Sequence, residues 1–286
     1  TSTDMSDILL DIRDLSVVYE TEDGVVRALN KACLQLHRGE TLGLVGETGA
    51  GKTTLARGIM RLIPQPPGKI TSGEVVYDGT DLLKLQEKEM RQLRGRQISM
   101  IFQDPMTSLN PVMTVGHQIQ EVIVTHHPEF SKDEARKQAA EMLEMVGISA
   151  SRYDDYPHQF SGGMKQRVVI AIALACNPQM LIADEPTTAL DVTIKAQVLE
   201  MIHGLKRKNN TAMLLITHDL GVINQMADDV AVMYCGQVVE HASTEMIFSP
   251  ESKYSHPYTE GLMVSIPRLD TPVGKRLEAI PCAVPH

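Results

Sequence analysis

Gly46-Glu47-Thr48-Gly49-Ala50-Gly51-Lys52-Thr53 follows the apolar run Thr41 to Val45 and opens a helical pattern near Lys52. The stretch fits G-x-x-x-x-G-K-[ST] between a strand and a helix, the context in which that pattern describes a phosphate cradle. Glycines let the backbone curl so that successive N–H groups point inward at the positive end of the helix. Lys52 would then reach the outer phosphates of a nucleotide, and the Thr53 hydroxyl would be a Mg²⁺ ligand. The plain alternative is a glycine-rich turn; the Lys-Thr pair, the second glycine and the flanks weigh against it.

Working outward, Ile8 to Tyr19 and Val26 to Leu36 read as strands separated by the turn Thr21-Glu22-Asp23-Gly24. Gly73 to Tyr77 and Gln97 to Phe102 are further strand candidates. From about Asp104 to Lys165 the texture is helical. Ser131-Lys132-Asp133-Glu134 has the form of a capping box, and Ala135, Ala139, Met142, Leu143 and Val146 recur at helical spacing until Gly147. Helix and strand then alternate: a helix to Ala175, the strand Met180 to Ala183, a helix carrying Ile194, Val198, Ile202 and Leu205, and the strand Ala212 to Ile216. Alternation of this kind builds a parallel sheet covered by helices. The expected organisation is one α/β domain over residues 1–245, with an inserted helical subdomain at about 104–165 and an appendage over 246–286.

The strand Met180-Leu181-Ile182-Ala183 ends in Asp184-Glu185. Such a strand is expected beside the strand that carries the phosphate loop, with Asp184 binding Mg²⁺ and Glu185 polarising a water for in-line attack. Taken alone, the pair would more often be a strand running into a solvated turn. His218 follows the strand Ala212 to Ile216 and would point into the same crevice of strand ends.

Composition narrows the classes. The 286 residues carry 27 Lys+Arg against 36 Asp+Glu, a net charge of −9, which argues against a broad basic surface for nucleic acid. The best apolar run, Val168 to Ala175, is far below the ~18 residues a bilayer span needs. Cys33, Cys176, Cys235 and Cys282 are scattered, as expected of reduced thiols in the cytosol, and residues 1–7 lack the basic and apolar regions of a secretory signal.

Phe160-Ser161-Gly162-Gly163-Met164-Lys165-Gln166-Arg167 places a hydroxyl and exposed N–H groups at a helix start, a second anion site in one chain. Glycines that merely break the helical region are the bland alternative. The segment resembles the signature motif of the ATP-binding cassette (ABC) ATPases, with Met164 and Lys165 where many members carry Gln and a variable residue. The likeness continues in order over residues 8–245. Gly46 to Thr53 resembles the Walker A loop, and Met180 to Glu185 resembles Walker B with its catalytic glutamate. Ala189-Leu190-Asp191 resembles the D-loop, His218 the switch histidine, and Gln103 the Q-loop glutamine. Tyr19 falls where the family places an adenine-stacking aromatic, although an aromatic at a strand end is more often simple packing.

The resemblance implies a P-loop fold with an antiparallel β subdomain, and ATP and Mg²⁺ as cofactors. It implies ATP contacts from Tyr19, Gly46, Glu47, Thr48, Gly49, Ala50, Gly51, Lys52, Thr53 and Thr54. Metal contacts are implied for Thr53, Gln103 and Asp184, with Glu185, His218 and Gln103 serving catalysis. It further implies a head-to-tail dimer in which Ser161, Gly162, Gly163 and Asp191 of one chain complete the site of the other, whether a copy of this chain or a related ATPase. Gln103 to Pro111 and Ser255-His256-Pro257-Tyr258-Thr259 resemble the ATPase subunits of the oligopeptide, dipeptide and nickel importer group, as do Pro267 to Asp270 and Ala279-Ile280-Pro281. Membrane permease subunits, an extracytoplasmic solute-binding protein acting indirectly, and a place on the cytoplasmic face of the membrane follow from that group. A nickel or metal-chelate importer and a soluble, non-transport ABC ATPase are the alternatives. Some members continue into a cysteine-rich, cluster-binding tail; here Cys282 alone lies in that region, so that feature is absent or truncated.

Overall fold

A computed structural model describes residues 7–46, 50–102, 108–187, 190–251, 254 and 256–264. The strands β1 (Ile8–Thr21) and β2 (Gly24–His37) form the expected hairpin. Next come β3 (Thr41–Gly46) and α1 (Ala50–Met60), then β4 (Gly68–Tyr77), β5 (Thr80–Asp81), α2 (Glu87–Leu93) and β6 (Ile98–Ile101). The helices α3 (Val115–His126), α4 (Lys132–Met145) and α5 (Gly162–Leu174) separate β6 from β7 (Met180–Asp184). After β7 the chain runs through α6 (Val192–Asn209), β8 (Ala212–Ile216), α7 (Leu220–Met226), β9 (Asp229–Tyr234) and β10 (Gln237–Ser243) to α8 (Thr244–Ile247) and α9 (Pro257–Val264).

Two sheets result, β2-β1-β4-β5 and β10-β9-β3-β8-β7-β6. The first is antiparallel. In the second, the five strands from β9 to β6 are parallel and β10 closes one edge antiparallel to β9. One expectation fails here. The strand ending at Asp184 does not lie beside the phosphate-loop strand, because β8 sits between them, pairing Leu42 with Leu214 on one side and Leu214 with Ile182 on the other. The reason is burial. Each of β3, β7 and β8 is buried along its whole length, and a strand with both faces covered needs hydrogen-bonding partners on both edges. Strands β3 and β7 keep β9 and β6 on their outer edges, and β8, placed between them, has a partner on each of its own edges.

Side chains still alternate along these buried strands. Leu42, Leu44, Ile182, Leu214 and Ile216 join Leu55 and Ile59 of α1 and Leu10, Leu15 and Leu36 of the antiparallel sheet in one core. Val45, Leu181, Ala183, Met213 and Leu215 face the other way, into a core with Ile119, Ile170, Ile202 and Ile223 from α3, α5, α6 and α7. Helix α1, which follows the glycine-rich stretch, is thus clamped between the two sheets.

The helical segment follows its caps. Ser131 Oγ accepts from the Glu134 N–H while the Glu134 carboxylate accepts from the Ser131 N–H, completing the expected box on α4. The chain leaves that helix through Gly147 at φ +79°. Buried Gln118 bonds Asn110 through both its backbone N–H and C=O and reaches the Met113 carbonyl, so one amide pins the loop ahead of α3. Beyond β10, Tyr258 and Met263 are buried in the helix-side core. Pro267 to Asp270, Ala279 to Pro281 and Cys282 lie outside the described residues. No helix among the described residues is long and apolar enough to cross a membrane.

Candidate functional site

Gly46 closes β3 at φ +157°, and a Cβ there would stand 2.3 Å from the carbonyl oxygen of Met233 in β9. Only glycine lets the strand end so close to its neighbour. A Cβ is present at neither Gly46 nor Gly51, whose own would lie 3.1 Å from Met233 Sδ. Met233 therefore backs both glycines. Of the expected phosphate cradle, Glu47, Thr48 and Gly49 lie outside the described residues, as does the side chain of Ala50.

Lys52 is 6% exposed, and its Nζ donates to the Gly46 carbonyl at 3.0 Å, arching back across the loop. A buried ammonium beside the positive end of α1 creates a field that an anion would relieve. On the next residue, Thr53 Oγ1 donates to Asp184 Oδ2 at 3.1 Å. Asp184 is buried at the end of β7, and its Oδ1 has no hydrogen-bond partner among the described residues. Burial lifts this carboxyl above the ordinary range against the Thr53 bond, and the neighbouring Glu185 charge lifts it further. A buried carboxylate oxygen without a partner, next to a threonine hydroxyl, is a hard oxygen donor set of the kind Mg²⁺ takes. The residues fit the ion.

Glu185 turns the chain with φ +47°, a left-handed conformation costly for a residue with a side chain, and its N–H donates to Ile216 O at 2.8 Å. The turn aims the Glu185 carboxylate at the end of β8, where Oε1 accepts from the His218 N–H at 3.1 Å and lies 3.1 Å from His218 Nδ1. The glutamate is the sheltered partner, its side chain 12% exposed against 57% for the histidine. Tyr19, half-buried at the end of β1, shares a hydrogen bond of 3.2 Å with buried Thr54 Oγ1.

Ser161 caps α5 by accepting from the Met164 N–H at 3.3 Å, and its side chain faces solvent. A Cβ at Gly162 would meet nothing within 4 Å, whereas one at Gly163 would stand 2.6 Å from Ile194 Cγ2. Gly163 thus brings α5 hard against α6, and the buried Gln166 amide, which donates to the Pro186 carbonyl, ties the same helix to the turn after Glu185. Asp191 opens α6, exposed and without a side-chain cap bond. Among the described residues, the contacts of Ser161, Gly163 and Asp191 are with α5 and α6 and not with the phosphate loop. Gln103 lies outside the described residues.

Two contributors escape the sequence reading. Met233 carries no motif, so nothing local marks it. Asp219 has a local signal, its place directly after His218 at a helix start. Its Oδ1 caps α7 through the N–H groups of Gly221 and Val222, and its Oδ2 accepts from Lys195 Nζ at 2.8 Å. Burial works to raise this carboxyl, but the Lys195 bond and the helix N–H groups outweigh it and hold it below the ordinary range. The start of α6 is thereby fastened to the His218 turn.

A strand, a glycine-bearing turn and a buried lysine, joined through threonine to a carboxylate two strands away, define a P-loop nucleotide-binding protein. Residues 29–188 match the family described as ABC transporter, and the chain belongs to that family. It is an ATPase of the ABC type, and ATP is its nucleotide. It is 52% identical over 279 residues to the oligopeptide transport ATP-binding protein OppD of Bacillus subtilis, covering 97% of this chain and 77% of that protein. It is 50% identical over 264 residues to the dipeptide transport ATP-binding protein DppD of the same organism, covering 92% and 78%. A dimeric ATP-binding cassette solved in a post-hydrolysis state with ADP and Pi superposes with a TM-score of 0.73 at 28% identity, over 82% of this chain and 98% of that one.

Proposed function

We propose that this chain is the ATP-hydrolysing subunit of a peptide importer, working peripherally at the cytoplasmic face of a membrane beside integral permease subunits. The reading of the site rests on the Thr53–Asp184 contact, with its unpartnered buried oxygen next to the Glu185–His218 pair. The N–H groups of residues 46–51 and Lys52 would hold the phosphates, Thr53 and Asp184 the Mg²⁺, and Tyr19, braced by Thr54, the adenine. Bound there, Mg²⁺ supplies charge neutralisation on the phosphate oxygens. Glu185 takes the proton of the attacking water as oxygen bonds to the terminal phosphorus and the bond to ADP breaks. His218 keeps the Glu185 carboxylate aimed, and Gln103 completes the catalytic and metal-binding set.

Ser161 and Asp191 are exposed at the starts of α5 and α6, and Gly162 beside Ser161 has open space where a Cβ would stand, which supports Ser161, Gly162, Gly163 and Asp191 serving a nucleotide held by a second cassette, a copy or a related ATPase, in a head-to-tail dimer. Residues 1–245 form the cassette, with the helical subdomain at about 104–165 contacting the permease, and 246–286 the extension. Peptide is favoured over nickel chelates, and transport over soluble ABC work, by the oligopeptide and dipeptide transport relatives. The substrate itself would be chosen by a solute-binding protein outside the membrane. The test is reconstitution with the co-purifying membrane subunits: labelled di- and oligopeptides should accumulate in vesicles with ATP, and nickel should not. Nickel uptake without peptide uptake would overturn the peptide reading.

A further inference from the structure

The turn that precedes α5 is organised around Arg152. Its Nε donates to Asp155 Oδ2 at 2.9 Å, its Nη2 to the Gln159 carbonyl at 3.0 Å, and its Nη1 lies 3.7 Å from Met164 Sδ. Its guanidinium carbon stands 4.2 Å above the centre of the buried Phe160 ring. One side chain therefore grips the residues immediately before Ser161 and the residue that follows Gly163. A planar fork with five donors and a stacking face can do all of this at once. A lysine ammonium offers a compact charge and no plane. Among the described residues, the Ser161 hydroxyl accepts from Met164 N–H and its carbonyl from Lys165 N–H at 2.9 Å, both in the first turn of α5, so where Ser161 stands depends on what holds that turn and the chain before it.

We propose that Arg152 is a positioning residue for Ser161-Gly162-Gly163, setting where this motif stands when it meets nucleotide on the opposing cassette. The proposal rests on the composite-site reading above. It assigns a function to a residue that lies nine positions before the motif and outside every pattern recognised in the sequence. The departure at Met164 takes part, since its sulfur lies against the guanidinium.

The test uses the full chain with Arg152→Lys, Phe160→Leu and, as a control, Ser161→Arg. ATP affinity reports the phosphate-loop half of the site, and steady-state turnover reports the assembled site. Arg152→Lys should lower kcat about tenfold or more, because small misplacements of a site component are costly, while ATP affinity stays within about twofold. Phe160→Leu, which removes the stack and keeps an apolar side chain, should show the same split at smaller amplitude and stands in should Arg152→Lys fail to fold. Parental turnover in both variants, with Ser161→Arg inactive, overturns the role of Arg152 alone. Affinity and turnover falling in parallel would show Arg152 to be merely structural and also overturn it. Parental turnover in Ser161→Arg would overturn the composite site and this proposal with it.

Discussion

The Thr53 hydroxyl donates to Asp184 Oδ2 at 3.1 Å, joining residues 131 positions apart in the chain. That bond leaves Oδ1 of a buried carboxylate without a partner among the described residues. Because burial raises the Asp184 carboxyl, its ionised form costs the fold stability at neutral pH. The sign follows: stability from this group is fullest below the unfolded carboxyl's range and declines as pH rises through the folded one. Asp184→Asn, neutral at every pH, should raise the thermal midpoint of the nucleotide-free chain and remove the Mg²⁺ dependence of ATP binding. A lowered midpoint together with an intact Mg²⁺ response would contradict both halves.

Glu185→Gln should bind ATP with near-parental affinity and turn it over at least about 100-fold more slowly, since an amide cannot accept the proton of the attacking water. The His218 backbone N–H can still donate to the amide oxygen, so the local geometry survives. Nucleotide binding and single-turnover hydrolysis measured on one preparation check this. Parental hydrolysis would move the search for the base to His218.

The local parts of this structure were legible because local chemistry dictates them. The capping box at Ser131–Glu134, the exit at Gly147 and the apolar strand before Gly46 each depend on neighbouring residues. What escaped depends on the far chain. Sequence order lists β7 before β8 and gives no sign that the later strand slides between β3 and β7. Met233 behind Gly46 and Lys195 on Asp219 are likewise contacts across the fold. Helix–strand alternation likewise gives no sign of the last hairpin, where β10 turns antiparallel to β9 and continues past Glu240 to Ser243.

Residues 256–258 are fastened to that hairpin. The His256 N–H donates to Glu240 Oε1 at 2.9 Å, and the Tyr258 ring stacks 4.6 Å from Tyr234. Tyr258→Ala should destabilise the chain by about 3 kcal/mol, the cost of emptying a buried aromatic site. Removal of residues 250–286 should lower the melting midpoint while ATP affinity is retained. A truncated chain that stays folded and loses affinity more than about tenfold, 1.4 kcal/mol, would place part of the extension in the nucleotide site.

Burial pushes the Cys176 thiol up to about 11, whereas Cys33 and Cys235 are exposed. The thiolate is the reactive form. At pH 8 in the folded chain, iodoacetamide should therefore modify Cys33 and Cys235 and spare Cys176, as read by peptide mass spectrometry. Raising the pH toward 9 should leave Cys176 protected. Early modification of Cys176 would contradict its buried placement.

Lys52 and Ser161 are proposed above to serve the same nucleotide from different chains. Lys52→Ala should cut turnover by about 100-fold or more by removing a charge aimed at the phosphates. Ser161→Arg should do the same from across the interface. In a mixed pair, one site inherits both defects and the other inherits neither. Where the chain pairs with itself and each site works independently, equal mixing of the two inactive variants should restore roughly one quarter of parental ATPase activity, since half the symmetric pairs are mixed and each holds one sound site. If the Glu185→Gln chain, sized separately, is a dimer with ATP and Mg²⁺, and the mixture of Lys52→Ala and Ser161→Arg stays inactive although one sound site is known to suffice, Lys52 and Ser161 do not serve one nucleotide from different chains.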